Sequence, residues 1–148
     1  IKSVIKSNQN RSKLLLDRVY GILNKRVRNK QITFLGVTFK ANTDDMRDSS
    51  SLTMIPALIK KGAKVKYFDP TGYKKEFSKL KNVHNSSTIK DSIIGSDLVI
   101  IHTEWNDFKS INFKNLIRGK KFIIFDMRNI YSAKKIKNQG FKYYSIGR

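Results

Sequence analysis

From residue 32 onward the apolar positions fall in short, largely β-branched or aromatic runs: ITFLGV (32–37), VKYF (65–68), LVIIH (98–102), FIIF (122–125) and YYSI (143–146). Runs that are apolar without strict alternation mark strands buried on both faces, as in a parallel sheet covered by helices. The stretches between them have helical length and punctuation. LTMIPALIKKG (52–62) carries helically spaced apolar residues and stops at a glycine, and STIKDSIIGS (87–96) opens with a capping-type serine. INFKNLIRGK (111–120) and SAKKIKNQG (132–140) contain or end in a stop glycine as well. Pro56, inside the first of these, predicts a bend or an early turn. Strand and helix therefore alternate, which predicts an α/β fold: a Rossmann-like doubly wound parallel sheet of five to six strands.

A different pattern precedes the sheet. Val4, Ile5, Leu15, Leu16, Val19, Tyr20, Leu23 and Val27 include later members spaced by three and four, which predicts an N-terminal helix. The polar tract SNQNRSK (7–13) interrupts that stripe, so such a helix would pack partly on a domain outside this chain. The one boundary falls at VRNKQ (27–31), dividing residues 1–28 from 29–148. A length of 148 residues with 39% apolar content suits one compact unit. The chain opens on Ile1 with no charged-then-apolar leader, and reads as a piece of something longer. No apolar run approaches the ~18 residues that cross a bilayer. The expectation is a soluble, cytoplasmic protein without membrane contact.

Charge and cysteine content narrow the chemistry. The formal net charge of +20 points first to an anionic partner: nucleic acid, acidic lipid or a phosphorylated metabolite. Yet the 31 cations comprise 23 Lys and only 8 Arg, spread along nearly the whole chain, which is the pattern of a lysine-rich solvated surface. A basic nucleic-acid-binding module stays open as an alternative, weakened by the scarcity of Arg and the lack of an aromatic-basic stripe. A scaffold or oligomerisation fragment stays open too, motivated by the leading helix. Absence of cysteine removes disulfides, thiolate metal sites and thiol nucleophiles together. His84 and His102 are the only imidazoles, with no metal-binding spacing around either, so no metal is expected.

The densest chemistry lies in GVTFKANTDDMRDSSS (36–51), directly after the first strand. Ligands of open α/β sheets sit beyond the carboxyl ends of the strands, near the point where strand order reverses, and the first strand normally flanks that point. A dinucleotide cradle would place G-x-G-x-x-G there, but Gly36 is followed by bulky Phe39 and Lys40. Phosphates at this edge must be met by side chains. Lys40 can do so as a point charge and Arg47 as a planar fork, unless they are a solvated lysine and an arginine paired with Asp44, Asp45 or Asp48. Ser49, Ser50 and Ser51 read as helix caps. Two further strand ends, HTEWNDF (102–108) and DMRNIY (126–131), converge on the same edge, with Arg128 a third anion contact. Trp105 reads as core or interface, Glu104 as a carboxylate that orients a base, and Tyr143 and Tyr144 as core with solvated hydroxyls.

That loop closely resembles the signature of the carboxyl-terminal domain of the UDP-glucose/GDP-mannose dehydrogenase family, G-x-x-F-K followed by T-x-D-x-R-x-S. KGAKVKYFDP (61–70), TEWNDF (103–108), FDMRNIY (125–131) and YYSIGR (143–148) resemble the family's later motifs in order, from about residue 28 to the end. VIKSNQNRSKLLLDRV (4–19) is similar to the end of the family's central, dimer-building helical region, and TEWNDF with FDMRNIY most resembles the UDP-glucose 6-dehydrogenase branch. The resemblance implies oxidation of UDP-glucose to UDP-glucuronate with two NAD⁺ through an enzyme thiol, in a homodimer. It implies that Phe39, Lys40 and Arg128 contact the UDP-sugar and that Arg47 reaches NAD bound mainly by another domain. UDP-N-acetylmannosamine and GDP-mannose relatives share most of these motifs. Lacking the GxGxxG domain and any cysteine, this chain carries no catalytic nucleophile and is expected to be inactive alone.

Overall fold

The computed structural model describes residues 2–147, with side chains from residue 7 onward. Six strands form one sheet: β1 (Gln31–Leu35), β2 (Lys64–Phe68), β3 (Val83–Asn85), β4 (Leu98–Ile101), β5 (Ile123–Asp126) and β6 (Lys142–Ser145). Around them run α1 (Lys2–Ile22), α2 (Ser51–Lys60), α3 (Ile89–Ile93), α4 (Asn106–Lys109), α5 (Phe113–Leu116) and α6 (Ala133–Asn138). The spatial order is β3-β2-β1-β4-β5-β6 and every pairing is parallel. The chain thus winds outward from β1 in both directions, and the order reverses between β1 and β4.

The β-branched runs at the centre form strands because β1, β4 and β5 are covered on both faces, whereas the edge strand β6 buries one face only. Side chains alternate across the sheet, so Ile32, Phe34, Leu98, Ile100 and Phe125 join α1 and α2 in one core, while Leu35, Val99, Ile101 and Ile124 join Phe108, Phe113 and Phe141 in the other. All four residues of β4 are buried. A polar residue stands in the middle of this environment: Thr33 is fully buried, and its hydroxyl meets the Ser92 carbonyl and, at 2.7 Å, the Ser96 hydroxyl. A buried hydroxyl is tolerated only when bonded in this way.

Helix α1 packs on the same core as α2 through Leu15, Leu16 and Val19, with Leu23 and Val27 continuing the contact in the connecting loop. Leu14 points away and is 67% exposed. Arg18 fastens the helix to the far side of the sheet: its guanidinium donates to the Ser145 carbonyl (3.1 Å) and lies 5.3 Å from the centre of the Phe125 ring.

Several local expectations need correction. β3 is a three-residue edge strand without an apolar run, VHN, and its pairing with β2 alone defines it. Helix α2 continues through Pro56 to Lys60, so no early turn occurs there. The cap of α3 is Thr88, whose hydroxyl accepts from the Asp91 N–H (3.0 Å), and not Ser87. Tyr143 is core, but its hydroxyl is not solvated: it donates to the buried Asp126 carboxylate at 2.6 Å. Tyr144, on the opposite face of β6, is 41% exposed and not core. A strand-end carboxylate needs donors, and the Tyr143 hydroxyl is one of those in reach.

Candidate functional site

A cleft of about 300 Å³ opens at the carboxyl edge of the sheet, against the β1–β4 reversal point. Four segments line it. Helix α1 contributes Asn8, Arg11 and Ser12; the loop after β1 contributes Phe39, Lys40 and Asp48; Ser50 stands at the start of α2; and the ends of β4 and β5 contribute His102, Met127 and Arg128. The polar tract that interrupts the apolar stripe of α1 is therefore the segment from which the helix faces this cleft.

Backbone bonds extend the sheet into the loops and fix where the side chains start. Gly36 donates to the Phe68 carbonyl (2.8 Å), His102 to that of Leu35 (3.0 Å) and Met127 to that of Ile101 (3.1 Å). Gly36 has φ +80°, and a Cβ there would sit 2.5 Å from the Thr103 Cβ, so only glycine allows the β1 loop to lie against the β4 end. The loop is held again by Asp69 at the end of β2, which is 2% exposed. Its carboxylate accepts from the Val37 N–H (2.9 Å) and from both the N–H (2.9 Å) and hydroxyl (2.6 Å) of Thr71.

The serine triplet caps α2 only in part: Ser49 Oγ accepts from the N–H of Ser51, the first residue of the helix, at 3.3 Å. Ser50 occupies the cap position of α2 without a side-chain cap bond, and its hydroxyl meets His102 Nε2 at 2.8 Å. Ser49 and Ser51 both donate to the Val37 carbonyl, at 2.5 and 2.6 Å. A buried loop carbonyl that the ladder leaves without a donor takes both hydroxyls instead.

Arg128 ties the corners of the cleft together. Its Nε donates to the His102 carbonyl (2.8 Å) and Nη2 to the Phe39 carbonyl (3.3 Å). The turn that carries it is held by Asp126, whose carboxylate accepts from the N–H groups of Arg128 (3.1 Å) and Tyr131 (3.0 Å) and from the Tyr143 hydroxyl. Asn129, at φ +55°, exchanges two hydrogen bonds with the backbone of Ile146 (2.9 and 3.0 Å). Burial and then the nearby Arg11 lower the pKa of Arg128, against Glu104, which raises it. His102 is pushed down to about 3 by burial, with Arg128 and Arg11 adding to the effect, so its ring is neutral. Cationic groups crowded this way are relieved by a bound anion.

Of the expected site residues, Phe39, Lys40 and Arg128 all line the cleft, with Phe39 46% exposed at its mouth. Arg47 does not. It lies outside the cleft, its side chain 87% exposed, paired with Asp45 at 3.0 Å. That pair holds the Asp45 carboxyl well below its ordinary range, at about 2. Trp105 is core, 8% exposed. The sequence reading missed Asn8, Arg11, Ser12, Asp48, Ser50, His102 and Met127 as cleft residues. The polar break in α1 and the histidine closing the run LVIIH were the available signals. Among the described residues no three acidic or imidazole side chains gather as a metal site would require.

Residues 33–133 match the model of the UDP-glucose/GDP-mannose dehydrogenase family, UDP binding domain. The chain belongs to this family. Within it, the chain is 38% identical over 153 residues to a UDP-glucose 6-dehydrogenase of Rickettsia bellii, covering 99% of this chain and 35% of that protein. A UDP-glucose 6-dehydrogenase of Bacillus subtilis is 36% identical over 152 residues, covering 100% and 34%. This family member thus spans about a third of the length of its curated relatives. Among solved structures, a UDP-glucose dehydrogenase from Pyrobaculum islandicum superposes with a TM-score of 0.76 at 24% identity, over 97% of this chain and 31% of that one. A UDP-D-ManNAc dehydrogenase from Pyrococcus horikoshii gives 0.67 at 26% identity, over 93% and 30%. No helix among the described residues is long and apolar enough to cross a membrane.

Proposed function

We propose that this chain is the UDP-sugar-binding part of an NAD-dependent UDP-glucose 6-dehydrogenase, in which UDP-glucose, two NAD⁺ and water give UDP-glucuronate, two NADH and three protons. Residues 29–148 form the binding unit in this reading, and residues 1–28 end the helical region that builds a homodimer. The observation that carries it is the convergence of Lys40, Arg11 and Arg128, from three separate segments, on one cleft in which Asp48 is the only carboxylate among the described residues. Two cationic side chains suffice to oppose a diphosphate, and a planar guanidinium matches its oxygens in pairs. Phe39, at the mouth, offers a ring face to the uridine or the hexose.

The residues present do not fit a dinucleotide. Phe39 and Lys40 stand where a glycine-rich turn would bring bare backbone to a pyrophosphate, and Asp69, at the strand end where an acid would take ribose hydroxyls, is buried and bonded inward. NAD is therefore assigned to another part of the full protein, as is the thiol on which oxidation depends. In this reading Arg47, exposed on the same loop, is the residue that reaches that cofactor. This chain's share of the chemistry is to bind and orient the nucleotide end of the substrate, and alone it is inactive.

Isothermal titration of the chain with UDP, UDP-glucose and GDP at two salt concentrations tests the reading. Saturable binding of the uridine ligands in preference to GDP is the expected result. Equal affinity for GDP favours a GDP-mannose enzyme, and an NAD⁺-inert full-length protein with every nucleotide sugar overturns the dehydrogenase reading altogether.

A further inference from the structure

His102 is fully buried, sits between two hydroxyls, and has no role in the reading above. Its Nδ1 lies 2.9 Å from Thr103 Oγ1, and its Nε2 lies 2.8 Å from Ser50 Oγ. Which nitrogen carries the proton follows from the neighbours. The Thr103 hydroxyl donates its single hydrogen to the Thr38 carbonyl at 2.9 Å. Toward His102 the threonine oxygen can then only accept, so Nδ1 must be the N–H. A neutral ring with Nδ1–H has an unprotonated Nε2, which accepts. The Ser50 hydroxyl therefore donates to Nε2, and its lone pairs are left over. No other bond engages the Ser50 oxygen among the described residues, and Ser50 lines the cleft.

We propose that His102 is a positioning residue: it locks the Ser50 hydroxyl as a hydrogen-bond acceptor facing the cleft, so that the site selects a nucleotide group that donates an O–H or N–H there. Without that lock a serine hydroxyl rotates and serves donor and acceptor groups alike. With it, the chain Thr38 carbonyl, Thr103, His102, Ser50 has one direction. The direction is anchored in backbone, and Gly36 permits the close approach of Thr103 on which it starts. In a uridine nucleotide the donors are the ribose hydroxyls and the uracil imide. The inference rests on the uridine-binding reading given above and adds to it a specificity contact outside the phosphate cations.

The test joins a spectroscopic readout to a binding one. The chain has two histidines, so ¹⁵N spectra of the imidazoles contain two ring systems to assign. His102 is expected to show a protonated δ1 and an unprotonated ε2 nitrogen at neutral pH. A protonated ε2, or an imidazolium, overturns the proposal. Calorimetry then compares UDP with 2′-deoxy-UDP, 3′-deoxy-UDP and 3-methyl-UDP, on the native chain and on Ser50→Ala. One analogue should bind the native chain about five- to ten-fold more weakly than UDP, the scale of one hydrogen bond, and Ser50→Ala should bind both alike. The analogue that loses affinity tells a ribose hydroxyl from the imide. Ser50→Thr, which keeps the hydroxyl, should restore the difference. His102→Phe should abolish it while a melting curve shows the fold retained. Analogue losses that are the same with and without the Ser50 hydroxyl overturn this inference and leave uridine binding standing. Failure of the native chain and both variants to bind any uridine nucleotide overturns the functional reading, and the inference with it.

Discussion

Lys40 and Arg47 stand seven residues apart on one loop, yet the structure sends them to different places, and their variants should separate accordingly. Lys40→Ala is expected to weaken UDP binding by roughly 1.5–3 kcal/mol, the worth of a charged hydrogen bond, with the melting temperature nearly unchanged because Lys40 is exposed. Calorimetry and a thermal melt on the same preparation check both halves. Arg47→Ala should leave UDP binding by this chain alone and act only on NAD use in the full protein, since the Arg47 side chain is exposed outside the cleft. His102 gives a pH prediction. The unfolded chain takes up a proton near pH 6.5, whereas the folded chain holds the ring neutral down to about pH 3. The stability this contributes is fully present above pH 6.5 and is lost as pH falls toward 3, at up to about 1.4 kcal/mol per pH unit. In urea titrations between pH 7 and 4, His102→Phe should show a shallower fall than the native chain. Lys40 and Arg128 were legible as candidates because each lies immediately after a readable strand. Arg11, Ser50 and His102 were not, because only the fold brings a helix, a cap position and a strand end to one cleft.

The strands declared themselves through short, mostly apolar runs, and the observed strands fall within a residue or two of those runs. β3 escaped because a three-residue edge strand needs no apolar run, only a partner with free backbone groups. The cap of α3 was misassigned, and the serines at the start of α2 make bonds beyond capping, for a related reason. Any hydroxyl near a helix start can cap, but which one does so depends on competing acceptors, here the Val37 carbonyl and His102 Nε2. Gly36 shows the opposite case, a local residue whose identity is set by a distant element. Gly36→Ala should destabilise the chain by at least ~1–3 kcal/mol, the usual cost of a side chain forced into left-handed backbone, with more from the collision with Thr103. A chemical-denaturation midpoint measures the loss, and a variant as stable as the native chain would show that the β1 loop can move off the β4 end.

At the scale of the molecule, the net charge of +20 and the cleft make different demands on salt. A diphosphate held by two or three side chains should weaken only moderately as salt rises. Duplex DNA held by the diffuse lysine surface should fall by orders of magnitude over a few-fold change in salt, with no preference among sequences. Parallel titrations decide whether any duplex affinity is more than such a background, and salt-resistant binding to one sequence would revive the nucleic-acid alternative. The fold class was readable at this scale, since alternation of buried strands and helices has few solutions. How α1 sits was not, because its polar stretch fits an exposed helix as well as one facing a cleft. That placement has a mechanical side. The last turns of α1 are clamped to the sheet by Leu15, Leu16, Val19 and the Arg18 contacts with Ser145 and Phe125, while Arg11 reaches the cleft from further along the same rod. At 1.5 Å per residue the helix from the clamp at Leu15 back to Lys2 makes an arm about 20 Å long, so a tilt of about 10° at the clamp sweeps the far end through about 3.5 Å. A force on that far end is felt at Arg11, and a ligand that draws Arg11 inward steers the end in return.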